Sequence, residues 1–346
     1  MSQALHRDTA GRLRELDLLR GGAALWVVLF HYVTRYDTIY GTPAAGRFEF
    51  PDGLFGVQLF FMISGFVIFM TLRRARTGWD FVVSRVSRLY PAYWAAVLIT
   101  FTVGALWPLP DQHHQPMLLF ANLSMLQAYV FIPAVDGVYW SLAVELGFYT
   151  VMLTLFLLGI LDRIIAIGFV WLALALLAHS PAGSWLHLPY RLTLLLALDY
   201  ANLFIAGIVF YELWTKGYAH SRLTLLASCL VAQLLFEGLS RGSVTMIFFG
   251  LFYLAISGRA STLCVRPLLW LGNISYSLYL THQMLGYKII ATLRAAGMNN
   301  FLSIAIALAF ALALASTMTF LIEQPARRLL RRALTFGTEV KSPAKV

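Results

Sequence analysis

Residues 19–32 read LRGGAALWVVLFHY. Ten uncharged residues separate Arg20 from His31, so the stretch reads as a membrane helix with a cation at one end and a titratable ring deep inside. Eleven residues of α-helix turn through about 1100°, within roughly 20° of three full turns. The two side chains therefore share one face, about 16 Å apart along the axis. An ionisable group at membrane depth costs about 2.5–3.5 kcal/mol on insertion scales and faces a cavity or a partner. Two on one stripe describe a polar path from the inner surface toward the core. Spacing alone favours a plainer account, in which Arg20 snorkels to phospholipid and His31 bonds a neighbouring helix.

The rest of the chain sets the context. Of 346 residues, 60% are hydrophobic and 12% charged, against roughly 25% charged in a soluble domain. Repeated uncharged runs make this a polytopic membrane protein, an all-α transmembrane helix bundle of about ten spans. The spans are expected near 16–36, 54–72, 89–109, 138–160, 164–179, 191–214, 223–236, 243–258, 267–290 and 301–322. The apolar stretch 117–132 is short and reads as a re-entrant or interfacial helix. With the N-terminus cytoplasmic, 20 Lys and Arg fall inside and 6 outside, which places both termini in the cytoplasm. The formal charge of +10 is then an orientation signal and calls for no nucleic-acid partner. The expected organisation is a cytoplasmic N-terminus over 1–15, a transmembrane domain over 16–326 and a basic cytoplasmic tail over 327–346. The polar opening MSQALHRDTAGRLRE and the length of the first apolar run argue against a cleaved signal, so that run is expected to stay as the first span. No internal repeat stands out.

Five further stretches carry polar groups into apolar surroundings: FGVQLFFMISGFVI (55–68) with Asp52 just ahead of it, RVSRLYPAYW (85–94), VYWSLAVELGFY (138–149), LGNISYSLYLTHQ (271–283) and IEQPARRL (322–329). Together with LDLLRGGAALWVVLFH (16–31), they make the chain resemble the acyltransferase family 3 group of integral membrane acyltransferases, which includes many sugar O-acetylases. Any one motif is modest. Their shared order from about residue 14 to about 330 is specific.

The resemblance implies an enzyme of the bacterial inner (plasma) membrane that moves an acyl group from cytoplasmic acyl-CoA, acetyl-CoA being the expected donor, to a hydroxyl. The expected acceptor is a cell-surface, exported or lipid-linked carbohydrate, and no metal is required. His31 carries over as the catalytic histidine, and neutral imidazole suits the task of taking a proton from an attacking hydroxyl. An acyl-histidine intermediate is the covalent alternative. Glu145 is the clearest intramembrane carboxylate and is expected to orient or polarise His31 or to bind the acceptor. A helix-to-helix hydrogen bond is its structural alternative. The paired-arginine motif maps onto Arg85 and Arg88, three residues apart and suited to the phosphates of CoA, with Arg20 as a third candidate. Lipid contact is the alternative for all three.

Ser64, in MISGF, either packs helices or lines the donor path. Asp52 is a candidate for sugar hydroxyls at the outer mouth, and Tyr149 for the acceptor site, with core packing the plainer role for Tyr149. His282 reads as a structural hydrogen-bonding residue. His113 and His114 lack a further ligand set, so metal binding is set aside. Trp94, Trp140 and Tyr139 fit interfacial belts. Pro325 is expected to end the last span, with the basic segment after it lying on anionic lipid. Cys229 and Cys264 read as free thiols.

Three rival functions are compatible with the sequence. One is O-acylation of a macrolide or other small secondary metabolite. Another is a proton-coupled transporter in which His31 and Glu145 relay the proton. A non-catalytic member binding a ligand or protein is a third option.

Overall fold

A computed structural model describes residues 13–41, 49–109, 115–181, 183 and 188–335. His113 and His114 lie outside the described residues. The long elements are α1 (Arg14–Tyr40), α2 (Pro51–Leu72), α3 (Gly78–Leu106), α4 (Gly137–Leu157), α5 (Leu161–His179), α6 (Ala201–Lys216), α7 (His220–Ile256), α8 (Arg266–Ala295), α9 (Asn300–Met318) and α10 (Gln324–Thr335). Among the described residues, seven helices are long and apolar enough to cross a membrane.

Two expected spans, 223–236 and 243–258, form the arms of α7, which breaks at Gly238 with φ 77° and ψ 170°. Glycine enters this region without steric cost. The arms fold back on each other, because Gln58 Oε1 accepts from both Gln233 Nε2 at 3.2 Å and Thr245 Oγ1 at 2.6 Å. Asn202 extends the network, its Nδ2 donating to Gln233 Oε1 at 2.7 Å. Bonds of this kind average about 0.6 kcal/mol in a membrane, so the network sets register more than it stabilises. The expected 191–214 span is broken by Ala197, in left-handed conformation, into a short helix Tyr190–Leu195 and α6. The 117–132 stretch is a short helix, Pro116–Leu123, followed by a 3₁₀ turn Gln127–Val130.

Two expectations need correction. The third helix begins at Gly78, eleven residues before the apolar run at 89. A capping box starts it: Asp80 N donates to Thr77 Oγ1 at 3.1 Å, and Thr77 N donates to Asp80 Oδ2 at 2.9 Å. Arg85 and Arg88 thus stand two turns inside a helix, not at its start. Nor does the last helix end at Pro325. A π-helical turn over Thr319–Glu323 precedes it, and α10 continues to Thr335. The widened turn accommodates a residue that lacks an N–H and would clash with the preceding turn of a regular helix.

Close backbone approaches fix the core. Gly65 lies against the Phe204 carbonyl and Gly207 against the Met62 carbonyl, so α2 and α6 cross where any side chain would collide with the facing backbone. α1 and α8 meet the same way, a Cβ on Gly21 falling 2.7 Å from Gly272 N. Ten residues further along both helices, His31 meets His282. The equal step shows that α1 and α8 run parallel in fixed register, which positions the site.

Candidate active site

Six of the eight residues singled out from the sequence line one cleft. Arg20 on α1, Ser64 on α2, Arg85 and Arg88 on α3, and Glu145 and Tyr149 on α4 line it together. Tyr276 and Tyr279 of α8 complete its wall. Arg20 pairs with Asp17 at 3.3 Å, one turn back on the same helix. Arg88 pairs at 3.3 Å with Glu323, which is 2% exposed and also accepts from Ser277 Oγ at 3.0 Å. Arg85 donates to Ser84 Oγ at 2.8 Å, while its Nε is buried without a hydrogen-bond partner among the described residues. Three guanidiniums around one cleft, one with a buried N–H unused, could hold a phosphate-bearing group.

Glu145 accepts a hydrogen bond from Ser64 Oγ and also bonds the Tyr149 hydroxyl. Its described partners belong to the cleft, and no contact joins it to His31 among the described residues. The MISGF pair divides its roles: Gly65 packs on α6, and Ser64 faces the cleft. Asp52 lies apart, exposed in the 3₁₀ turn Pro51–Phe55, where its carbonyl accepts from Trp26 Nε1 at 2.8 Å.

His31 also lies away from the cleft lining. It opens the π-helical turn His31–Arg35 and is buried. Its Nδ1 is 2.8 Å from the Val27 carbonyl and 3.2 Å from His282 Nε2. His282 Nδ1 in turn lies 2.9 Å from the Tyr279 carbonyl and 3.1 Å from that of Leu278. The Tyr32 hydroxyl donates to the His282 carbonyl at 2.8 Å. Tyr279 lines the cleft with its ring 5.9 Å from that of His282, so it stands at the boundary between cleft and histidine pair. Its hydroxyl is held by the Val138 carbonyl at 3.0 Å and by Ser141 Oγ at 2.6 Å.

Sequence reasoning gave His282 only a structural role and overlooked Asp136. Asp136 is buried ahead of α4 and accepts from Val138 N at 3.3 Å and Met284 N at 3.2 Å, pinning α8 two residues beyond His282. Burial pushes its carboxyl up to about 7, against the lowering effect of those two bonds. A signal for His282 did exist: a glycine precedes each histidine by ten residues, Gly21 before His31 and Gly272 before His282.

The family model described as an acyltransferase domain matches residues 13–320. A curated relative is the exopolysaccharide production protein ExoZ of Rhizobium meliloti (strain 1021). It is 29% identical over 253 residues, covering 68% of this chain and 77% of the relative. No solved structure matches.

Proposed function

This chain belongs to the family 3 acyltransferases, and from that premise we propose that it transfers an acyl group from cytoplasmic acyl-CoA to a carbohydrate hydroxyl. It is an integral membrane protein. Acetyl-CoA is the proposed donor and an exported polysaccharide or its lipid-linked precursor the proposed acceptor. The printed name of the relative, which concerns exopolysaccharide production, favours that acceptor. The proposal includes a bacterial inner-membrane location, ten crossings and two cytoplasmic ends. The two arms of α7, together with α6 and α8, bring the helical rods to that number, and the 20 to 6 distribution of basic residues favours that orientation.

The observation that carries the reading is the convergence of Arg20, Arg85 and Arg88 on one cleft. In the proposed reaction they hold the phosphates of the donor at the cytoplasmic side. His31 lies about 16 Å further along the axis of α1 from Arg20. There it takes the proton of the acceptor hydroxyl as that oxygen attacks the thioester carbonyl, and the thiolate leaves. Ser64, Glu145 and Tyr149 shape the cleft between. Asp52 lies on the outer side, where its proposed role is to meet acceptor hydroxyls.

The test is thiol release from acetyl-CoA by purified protein in nanodiscs, with a panel of glycans and small metabolites as acceptors. His31→Ala is expected to lose acceptor-dependent release by at least ~10²-fold while binding CoA normally. Undiminished release in a folded His31→Ala protein removes His31 from the chemistry. Failure of the wild type to bind CoA, with flux of a solute down a proton gradient, establishes the transporter instead.

A further inference from the structure

We propose that His282 is a positioning residue for His31: it accepts a hydrogen bond from His31 Nδ1–H, which keeps the hydrogen on Nδ1 and Nε2 as the bare, proton-accepting nitrogen of the catalytic ring. The inference rests on reading His31 as the base, and its geometry stands apart from the donor cleft.

The assignment follows from acceptors that have no proton to give. The Val27 carbonyl, 2.8 Å from His31 Nδ1, can only accept, so Nδ1 carries the hydrogen. The carbonyls of Leu278 and Tyr279 impose the same on His282 Nδ1. A neutral imidazole protonated at Nδ1 has a lone pair at Nε2. His282 Nε2 therefore faces His31 Nδ1–H as an acceptor at 3.2 Å. The reverse tautomer of either ring would set two lone pairs or two hydrogens against each other.

His282 is held for this task. It is fully buried, its carbonyl receives the Tyr32 hydroxyl, and the parallel register of α1 and α8 brings it opposite His31. When Nε2 of His31 takes the proton of an acceptor hydroxyl, the ring becomes a cation with two N–H groups. The Nδ1–H then points at a lone pair of His282 as well as at a peptide carbonyl. This second acceptor stabilises the charge in a buried site, as a buried orienting group does in other general-base pairs.

Two measurements test this. The first is nitrogen-15 NMR of histidine-labelled protein in nanodiscs, with His31 assigned by the signals lost in His31→Gln. Protonation of His31 at Nδ1 with a bare Nε2 is expected, and protonation at Nε2 overturns the proposal whether or not acyl transfer is observed. The second compares His282→Gln with His282→Leu. Glutamine can accept through Oε1 and donate through Nε2, so it is expected to keep kcat within about tenfold of wild type. Leucine fills the space without an acceptor and is expected to lower kcat by ~10²-fold with the KM for acyl-CoA unchanged. Equal losses in folded Gln and Leu proteins overturn the proposal, as does wild-type turnover in the Leu protein. If the Leu protein does not fold, the NMR result on the wild type decides. Absence of any acyl transfer by the wild type would instead overturn the functional reading alone.

Discussion

The cleft and the histidine pair are neighbouring polar clusters on opposite sides of Tyr279, and they solve different problems. The cleft sets four charged side chains, Arg20, Arg85, Arg88 and Glu145, among apolar residues. Arg20 and Arg88 each hold a carboxylate partner, Asp17 and Glu323, and Arg85 keeps a buried N–H unused. Such a site presents a field to a polyanion, and its strength depends on how many charges it holds. The histidine pair is built of neutral rings and peptide carbonyls, and its work depends on which nitrogen carries a proton. In the proposed reaction the first region recognises the donor and the second moves protons. Perturbing charge should therefore act on binding in the first, and perturbing protonation on stability or turnover in the second.

The largest effect is expected at Asp136, beside the histidine pair. Its carboxyl is raised to about 7 by burial from an ordinary value of 3.8, so the folded protein holds this proton more tightly than the unfolded chain does. Its contribution is full below about pH 4, falls as pH rises to about 7 and is gone above, a change of order 4 kcal/mol. Thermal unfolding in detergent, followed by tryptophan fluorescence, should show the wild-type midpoint falling between pH 5 and 7 relative to Asp136→Asn. The amide oxygen can still accept from one of the two N–H groups, Val138 N or Met284 N, which bond different oxygens of the carboxylate. An identical pH slope in the variant would mean that the second cluster is not kept dry at this end.

In the cleft, Arg85 and Arg88 look alike in sequence and differ in surroundings. Arg85→Ala removes a guanidinium with spare donor capacity and should weaken CoA binding by roughly 10- to 100-fold, the worth of one or two charge-assisted hydrogen bonds. Its effect on the unfolding midpoint should be small by comparison. Arg88→Ala should also lower that midpoint, because it strips a buried Glu323 of its cation. Isothermal titration with CoA, run beside thermal unfolding, separates the two. Equal loss of stability in both variants would erase the distinction between a donor-binding and a fold-holding arginine.

What the sequence revealed follows from which interactions are local. The Arg20 to His31 stripe lies on one helix, so helical periodicity exposes it. The third helix was expected too late because its first turns, DFVVSRVSR, are amphipathic and fall outside any apolar window. The Thr77 and Asp80 cap was the local sign of its true start. The hairpin in α7 hides in a single glycine, Gly238, between two short apolar runs. The pairings of His31 with His282 and of Arg88 with Glu323 span 251 and 235 residues, and no local rule reaches across them. The matched Gly21–His31 and Gly272–His282 spacings hinted at parallel helices, yet only the packed structure shows that their faces meet.

Glu145 gives the smallest effect and the sharpest test of the division. From sequence it is expected to orient His31, to bind the acceptor or to bond a neighbouring helix. In the structure it bonds Ser64 and Tyr149 and shares its cleft with three arginines. Glu145→Gln keeps an oxygen acceptor but removes a carboxylate from the proposed phosphate site. If Glu145 belongs to the cleft, CoA should bind about five- to tenfold more tightly to the variant, a gain of ~1 kcal/mol at the effective dielectric of a partly wet site. If Glu145 acts on His31, the Kd for CoA should stay unchanged while kcat collapses. The two outcomes have opposite signatures in one titration and one rate assay, so this substitution decides whether charge in the cleft and protonation at the histidine pair are separate devices or one.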